Sequence, residues 1–319
     1  MTHQGSTQQS RSPHGADTQR FVIGIDAGGT KTVGLLADAT GRVLTKTRSS
    51  GANLQIHGEL GVEKVLFEVI ESLDAPRPLA AVCLGIAGVG RPGEKEIIRG
   101  VLRRLGMRQA VRIENDAYIA LVAGARERRG IVLISGTGSM AFGVDGRGNS
   151  ARSGGWGYLL GDEGSTYWLG HAAVRRGIRA ADGRDAPTSL GDRISQRLGL
   201  EVPAGLVSWF YDQERFRHRV AELASLVEEA AEDDDTAARE LLDQAARHLM
   251  RAARAVDRKL ELSSPYDLVL AGGAFRACPS LVSRITAQLD LEHARIVHLQ
   301  SEPANGAVAL ALDLLSATP

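Results

Sequence analysis

Short apolar runs alternate with polar turns along the first ordered part of the chain. Residues 21–25, 30–36 and 43–48 are apolar or β-branched runs of strand length, and each predicts a β-strand. The turn between the first two runs, residues 26–30, is rich in glycine, and a polar turn lies at residues 38–42. This pattern predicts a β-meander whose first turn is glycine-rich.

The pattern then changes to helices and buried strands. Apolar residues at 3–4 spacing predict a helix over residues 60–73, and the continuous apolar run at residues 79–87 predicts a buried strand. The remaining elements predicted in this part are a helix at 94–105, a short strand at 110–113 and a helix at 116–124.

The opening strand–turn–strand pattern returns about 110 residues later, and this period indicates two related lobes rather than a short-period solenoid. The repeat comprises a strand at 131–134, a glycine turn at 135–139 and a strand at 140–144. The elements predicted after it are a solvated acidic junction at 228–235 that includes an Asp N-cap, a long amphipathic helix at 236–262, a buried strand entering a glycine turn at 268–273, and a closing helix at 305–315.

Composition argues against several classes of protein. The 319 residues suggest two domains, and 38 basic against 38 acidic residues give no net charge, which argues against a nucleic-acid partner. The two isolated cysteines indicate reduced thiols in a reducing cytoplasm. No apolar run is long enough to span a membrane, so no membrane partner is expected. Residues 1–20 are polar and lack a signal-peptide core, which predicts a disordered tail.

Three glycine turns, each after a buried strand, are candidate phosphate-binding loops. They lie at residues 26–30, 135–139 and 271–273, and the first two also contain threonine. Glycine lets backbone N–H groups approach a phosphate closely, although a single turn of this kind can also hold glycine for its conformation alone. The dinucleotide-binding and P-loop glycine patterns are absent from the sequence, as is the serine nucleophile elbow.

The three turns resemble the two phosphate loops and the adenosine loop of the actin/Hsp70/hexokinase superfamily. More narrowly, residues 114–117 (Glu-Asn-Asp-Ala) and 154–165 (Gly-Gly-Trp-Gly-Tyr-Leu-Leu-Gly-Asp-Glu-Gly-Ser) are similar to N-acetylglucosamine kinases of the BadF/BadG/BcrA/BcrD ATPase family. The resemblance covers residues 21–315. It implies an α/β, actin-like fold of two ribonuclease H-like lobes with the active site in the cleft between them.

The resemblance also implies domain bounds. The N-terminal lobe would comprise residues 21–117, completed by a C-terminal helix at 305–319, and the C-terminal lobe would comprise residues 118–304. A homodimer is common in such families, and the sequence leaves the oligomeric state open.

The resemblance implies ATP and Mg²⁺ as cofactors. The residues expected to bind them are Asp26, Gly28, Gly29, Thr30, Lys31, Gly136, Thr137, Gly138, Gly272 and Gly273. Asp26 would orient Mg²⁺ through water, and Thr30 and Thr137 would donate to phosphate oxygens. Lys31 either neutralises charge nearby or is simply solvated on its hairpin.

Asp116 is the candidate general base that accepts the proton of the attacking sugar hydroxyl. From the residues alone it fits equally well as a helix cap, with Asn115 as the rival cap. The residues expected to bind the sugar are Asn53, Asn115, Asp116, Gly155, Trp156, Gly157 and Asp162. Asn53 could instead be a turn residue and Trp156 a core residue, while Glu163 has no assigned role.

The expected activity is ATP-dependent phosphorylation of an amino sugar, with N-acetylglucosamine converted to its 6-phosphate. Glucosamine and N-acetylmuramate are alternative acceptors. Two other classes stay open: an ATPase that activates a 2-hydroxyacyl-CoA dehydratase, which needs cysteines to hold an iron–sulfur cluster, and a sugar-sensing regulator on a kinase scaffold.

Overall fold

A computed structural model describes residues 20–89, 93–211 and 216–316, the side chain of residue 216 excepted. The tail predicted over residues 1–20 therefore lies outside the described residues except for Arg20, as do residues 317–319 of the predicted C-terminal helix.

The first lobe is built on a five-stranded mixed sheet. Its strands are β1 (Phe21–Ala27), β2 (Lys31–Asp38), β3 (Val43–Ser50), β4 (Ala81–Ile86) and β5 (Ala110–Asn115). The order across the sheet is β3-β2-β1-β4-β5. Strands β1, β2 and β3 form the expected antiparallel meander, and β4 and β5 run parallel to β1. The carboxyl ends of β1, β4 and β5 therefore meet at one edge of the sheet.

The second lobe repeats this topology. Its strands are β6 (Gly130–Ser135), β7 (Ser139–Val144), β8 (Ser150–Gly154), β9 (Tyr266–Ala271) and β10 (Ala294–His298). The order β10-β9-β6-β7-β8 again places an antiparallel meander beside two parallel strands. The predicted duplication and the two-lobed α/β fold are thus confirmed, although β8 and β10 were not predicted.

Helices cover both sheets. They are α1 (Leu54–Ser72), α2 (Glu94–Arg104), α3 (Asp116–Gly124), α4 (Thr166–Ala181), α5 (Leu190–Leu198), α6 (Ala204–Tyr211), α7 (Phe216–Glu222), α8 (Ala224–Glu232), α9 (Thr236–Leu260), α10 (Ala274–Ala277), α11 (Ser280–Ala287) and α12 (Ala304–Ser316). Helix α1 has non-helical backbone at Gly58, so its regular part begins close to the predicted residue 60.

Two helices connect the lobes. Helix α3 follows the last strand of the first sheet and also contacts β6 and β9 of the second sheet. Helix α12 follows β10 of the second sheet, yet it packs against β1, β4 and α3. The chain therefore crosses between the lobes at both helices, and α12 covers the first sheet.

The acidic segment at residues 228–235 differs from its prediction. Its first half belongs to α8, where Glu228 is buried and its carboxylate accepts hydrogen bonds from the backbone N–H and hydroxyl of Ser280. Asp235 does cap α9, as expected, by accepting from the Ala238 N–H at 3.0 Å. In the described part of the chain, none of the helices is both long and apolar enough to cross a bilayer.

Candidate active site

The first glycine turn joins β1 to β2 and is closed by a backbone hydrogen bond from Gly28 N to Lys31 O at 3.0 Å. The segment after β3 is hydrogen-bonded to this turn, because Ala52 N donates to Gly28 O at 3.0 Å. A side chain at Gly51 would overlap the carbonyl of Gly29, so this close approach requires glycine. The turn is thereby fixed to the residues that lead to Asn53.

The second glycine turn joins β6 to β7 in the same way, with Gly136 N donating to Gly138 O at 2.9 Å. Thr166, at the start of α4, donates to Gly136 O through both its N–H and its hydroxyl. The third turn lies directly against it: Gly272 has φ +116°, and a side chain there would overlap the carbonyl of Ser135. The second and third turns thus form one glycine-lined surface.

The first and second turns face each other across the cleft. The hydroxyl oxygens of Thr30 and Thr137 are 3.4 Å apart, although 107 residues separate them in sequence. Each threonine lies at the tip of a glycine turn, so hydroxyls and backbone N–H groups from both lobes converge on one position. Such a convergence suits the phosphates of a nucleotide.

Two carboxylates lie next to this position. Asp26 is near the end of β1, level with Gly85 on β4, which in turn pairs with Glu114 on β5. Asp116 directly follows β5 and is the first residue of α3. The parallel ends of these strands bring the two side chains to the same edge of the sheet.

Burial, and next the charge of Asp116, raise the pKa of Asp26 to about 7, while the charge of Lys31 opposes this rise. Burial likewise raises the pKa of Asp116 to about 6, against the hydrogen bond that it accepts from the Ala117 N–H. Both shifts show that the cleft disfavours uncompensated negative charge. A proton acceptor with a pKa near 6 is suited to general-base catalysis.

The pair Asp26 and Asp116 fits a hard divalent cation bound with a nucleotide. A cation would compensate the buried carboxylate of Asp26 and the half-buried carboxylate of Asp116, and carboxylate oxygens are ligands that Mg²⁺ accepts. Within the described ranges there is no group of three or more His, Cys, Asp or Glu side chains able to hold a metal. Bound Mg²⁺ would therefore take its other ligands from phosphate oxygens and water.

The alternative that Asp116 is mainly a helix cap is weakened by its neighbour. Asn115 is the N-cap of α3, because its Oδ1 accepts the Ala117 N–H at 2.8 Å. Asn53 has the equivalent role at α1, where Oδ1 accepts the Gln55 N–H at 2.8 Å. Both predicted sugar ligands are thus also caps, which fixes where their amide groups lie.

Asp162 is the most buried of the predicted sugar ligands, with 4% of its surface exposed. Its carboxylate accepts from Ser139 N at 3.2 Å, and Arg217 Nη2 lies 3.8 Å away. Burial raises its pKa, and the Ser139 amide and the Arg217 charge partly oppose the rise. The guanidinium of Arg217 also lies over the ring of Tyr158.

One predicted glycine of this loop, Gly155, already uses its backbone amide inside the protein. Gly155 N donates to Ser139 O at 3.0 Å. A sugar at this loop would have to displace this hydrogen bond or use other atoms. Trp156 is 65% exposed and so is not a core residue, and Arg152 lies over its ring at 4.4 Å.

Three charged residues near the site have no signal in the sequence. Glu302 precedes α12 and pairs with Lys31 at 3.1 Å, so Lys31 is not simply solvated. Glu94 is buried and accepts from Gln55 Nε2 at 2.5 Å beside Asn53. Arg217 reaches Asp162 from α7. Each comes from a segment remote in sequence, without a motif around it.

Comparison with known proteins agrees with this geometry. The "N-acetylmuramic acid/N-acetylglucosamine kinase" of Clostridium acetobutylicum is 33% identical over 300 residues, which cover 92% of this chain and 98% of that protein. The "N-acetyl-D-glucosamine kinase" of Dictyostelium discoideum is 32% identical over 315 residues, covering 93% and 99% respectively.

The fold has close counterparts among solved structures. A Chromobacterium violaceum protein assigned as an N-acetylglucosamine kinase superposes with a TM-score of 0.71 at 28% identity, over 92% of this chain and 99% of that one. The BadF/BadG/BcrA/BcrD ATPase family matches residues 23–311. The chain therefore belongs to the BadF/BadG/BcrA/BcrD ATPase family.

Proposed function

We propose that this protein is an ATP-dependent amino-sugar kinase and that N-acetylglucosamine, phosphorylated at its 6-hydroxyl, is the acceptor. The observation that carries the proposal is the 3.4 Å approach of Thr30 and Thr137 beside the carboxylates of Asp26 and Asp116. The arrangement combines phosphate donors from two lobes with a base of raised pKa, which is what transfer of a phosphoryl group to a hydroxyl needs.

In the proposed mechanism the glycine turns hold the ATP phosphates through backbone N–H groups and the hydroxyls of Thr30 and Thr137. Asp26 would hold the metal through its carboxylate and bound water. Mg²⁺, when bound, neutralises charge on the β- and γ-phosphates. Asp116 accepts the proton of the sugar hydroxyl as that oxygen bonds to the γ-phosphorus and the bond to ADP breaks. Lobe closure around the sugar limits attack by water.

The acceptor is proposed from the relatives and from the sugar loop. Both curated relatives are named for kinases of N-acetylated hexosamines, and Asp162, Trp156 and Asn53 offer polar and aromatic groups at the cleft. N-acetylmuramate and glucosamine are the alternative acceptors. We also propose Mg²⁺ as the metal, a homodimeric assembly and a cytoplasmic location.

The dehydratase-activator alternative is disfavoured by where the thiols lie. The chain has only two cysteines, and both are fully buried, Cys83 on β4 and Cys278 beside α11. Burial raises the pKa of each thiol to about 12. A cluster shared between subunits needs thiolates presented at a surface, and neither residue offers one.

The test is a coupled ADP-release assay with Mg·ATP and N-acetylglucosamine, glucosamine, N-acetylmuramate, glucose or no sugar. We expect sugar-dependent ADP release with N-acetylglucosamine. Asp116→Asn should lower kcat by about 10²- to 10⁴-fold, since the amide cannot accept the proton. Asp192→Asn, the same change on the exposed face of α5, should leave kcat unchanged.

ADP release that is independent of every sugar would contradict the kinase proposal. Full activity of Asp116→Asn would remove Asp116 from the mechanism while leaving the reaction class intact. Mass spectrometry and NMR of the product would identify which hydroxyl carries the phosphate.

A further inference from the structure

The carboxylate of Glu302 forms ion pairs with three basic side chains. Lys31 Nζ lies 3.1 Å from Oε2, while Lys46 Nζ and Arg48 Nη2 lie 2.8 and 2.9 Å from Oε1. The basic residues come from β2 and β3, and Glu302 lies in the segment that returns from the second lobe to α12. Such a network has a more fixed geometry than one exposed ion pair.

Lys31 connects this ion-pair network to the metal-binding side of the proposed site. Lys31 is the first residue of β2 and closes the first glycine turn with its carbonyl oxygen. Val33, two residues after Lys31 on β2, pairs with Asp26 on β1. The charge of Lys31 lowers the pKa of the Asp26 carboxyl, while the charge of Glu302 raises it. Lys31 is therefore shared between two acidic partners, only one of which it contacts.

We propose that Glu302 is a positioning residue that restrains Lys31 and so keeps the carboxylate of Asp26 available for the divalent cation. The proposal rests on the proposed function, in which Asp26 binds the metal of Mg·ATP. The proposal is based on the contact between Lys31 and Glu302. The same network of ion pairs also holds Glu302 against β3.

The Lys31 ammonium and a divalent cation would compete for one anion, the carboxylate of Asp26. A lysine side chain is flexible and carries a compact charge, so an ammonium released from Glu302 would relocate to another nearby carboxylate. Asp26 is buried and poorly solvated, which strengthens its attraction for any cation that reaches it. An ammonium paired with Asp26 would have to be displaced before a metal could bind.

The experiment measures Mn²⁺ binding by the loss of the free-Mn²⁺ EPR signal, with no sugar present and with ADP kept below the protein concentration so that free ADP does not itself chelate the metal. We expect Glu302→Gln to weaken Mn²⁺ binding about tenfold, which is about 1.4 kcal/mol. The double variant Lys31→Met/Glu302→Gln should regain most of the wild-type affinity, since the competing ammonium is gone. Lys46→Met removes a different partner of Glu302, leaves the Lys31 contact and should bind as the wild type does.

Wild-type or tighter Mn²⁺ binding by Glu302→Gln would overturn the proposal, because Glu302 would then only compete with phosphate for Lys31. A double variant as weak as Glu302→Gln would overturn it as well. If Glu302→Gln does not fold, Glu302→Asp tests the same point, and its smaller loss should also be relieved by Lys31→Met. A sugar panel without turnover would contradict the proposed function alone, since Mn·ADP binding needs no acceptor.

Discussion

At the scale of single residues, Asp26 and Asp116 determine how the site responds to pH. Both carboxyls are held in a partly desolvated cleft, and their pKa values are raised from 3.8 to about 7 and about 6. Because the two side chains influence each other, the protons are lost in steps that belong to the pair. Both groups must be ionised for the proposed mechanism.

We therefore expect kcat/KM to fall as pH is lowered through the range of about 7 to 6, because protonation removes the base and the metal-binding carboxylate. Above this range the rate should reach a plateau. Saturating Mg²⁺ should move the midpoint towards the lower value, since a bound cation favours ionised Asp26. The measurement is a pH profile at low and high Mg²⁺, and a midpoint near 4 at low Mg²⁺ would contradict the expectation.

The sequence could predict the residues of the site better than their environment. Asp26, Thr30, Thr137 and Asp116 lie at turns and strand ends that the hydrophobic pattern indicates, and the structure brings them together. Glu302, by contrast, is paired with residues more than 250 positions away. Electrostatic partners of this kind depend on tertiary packing, which a local pattern does not encode.

At the scale of elements, the glycine turns are constrained mainly by how closely they pack. The turn after β9 lies on the turn after β6, with Gly272 in a backbone conformation, φ +116°, that other residues avoid. Its neighbour Gly273 is different: a side chain there would find only Arg276 Nη2, at 3.8 Å. A side chain would therefore be strained at Gly272 but would fit at Gly273.

Gly272→Ala should destabilise the protein by about 1–3 kcal/mol and raise the KM for ATP, because the added Cβ strains the backbone and overlaps Ser135 O. Gly273→Ala is the matched control and should leave stability nearly unchanged. Thermal denaturation of both variants, with ATP kinetics, tests this. Equal stability of the two would show that the loops separate at little cost.

The elements that the sequence did not predict were missed for one common reason. Strands β8 and β10 are short edge strands with mixed polar sequences, so neither shows a continuous apolar run. Glu228 fell in an acidic run that looked solvated, yet it lies in a helix and binds α11. In each case a tertiary contact overrides the local pattern.

At the scale of the whole molecule, the chain contains one architectural unit twice. Each sheet has a meander followed by two parallel strands, and each carries its glycine turn at the same place. The repeated strand–turn–strand pattern was enough to predict this duplication. The relative placement of the lobes was not predictable, because it depends on how α3 and α12 pack between them.

The exposed ring of Trp156 gives this two-lobed arrangement an optical consequence. Trp156 lies on the predicted sugar loop, whereas the other two tryptophans, Trp168 and Trp209, are partly or largely buried in the second lobe. Sugar binding should transfer the Trp156 indole from water to a less polar cleft and shift its fluorescence emission to shorter wavelength. The shift should require sugar and disappear in Trp156→Phe, whereas an unchanged spectrum would place the indole away from the acceptor. Acceptor affinity could then be titrated by intrinsic fluorescence alone, before any phosphate is transferred.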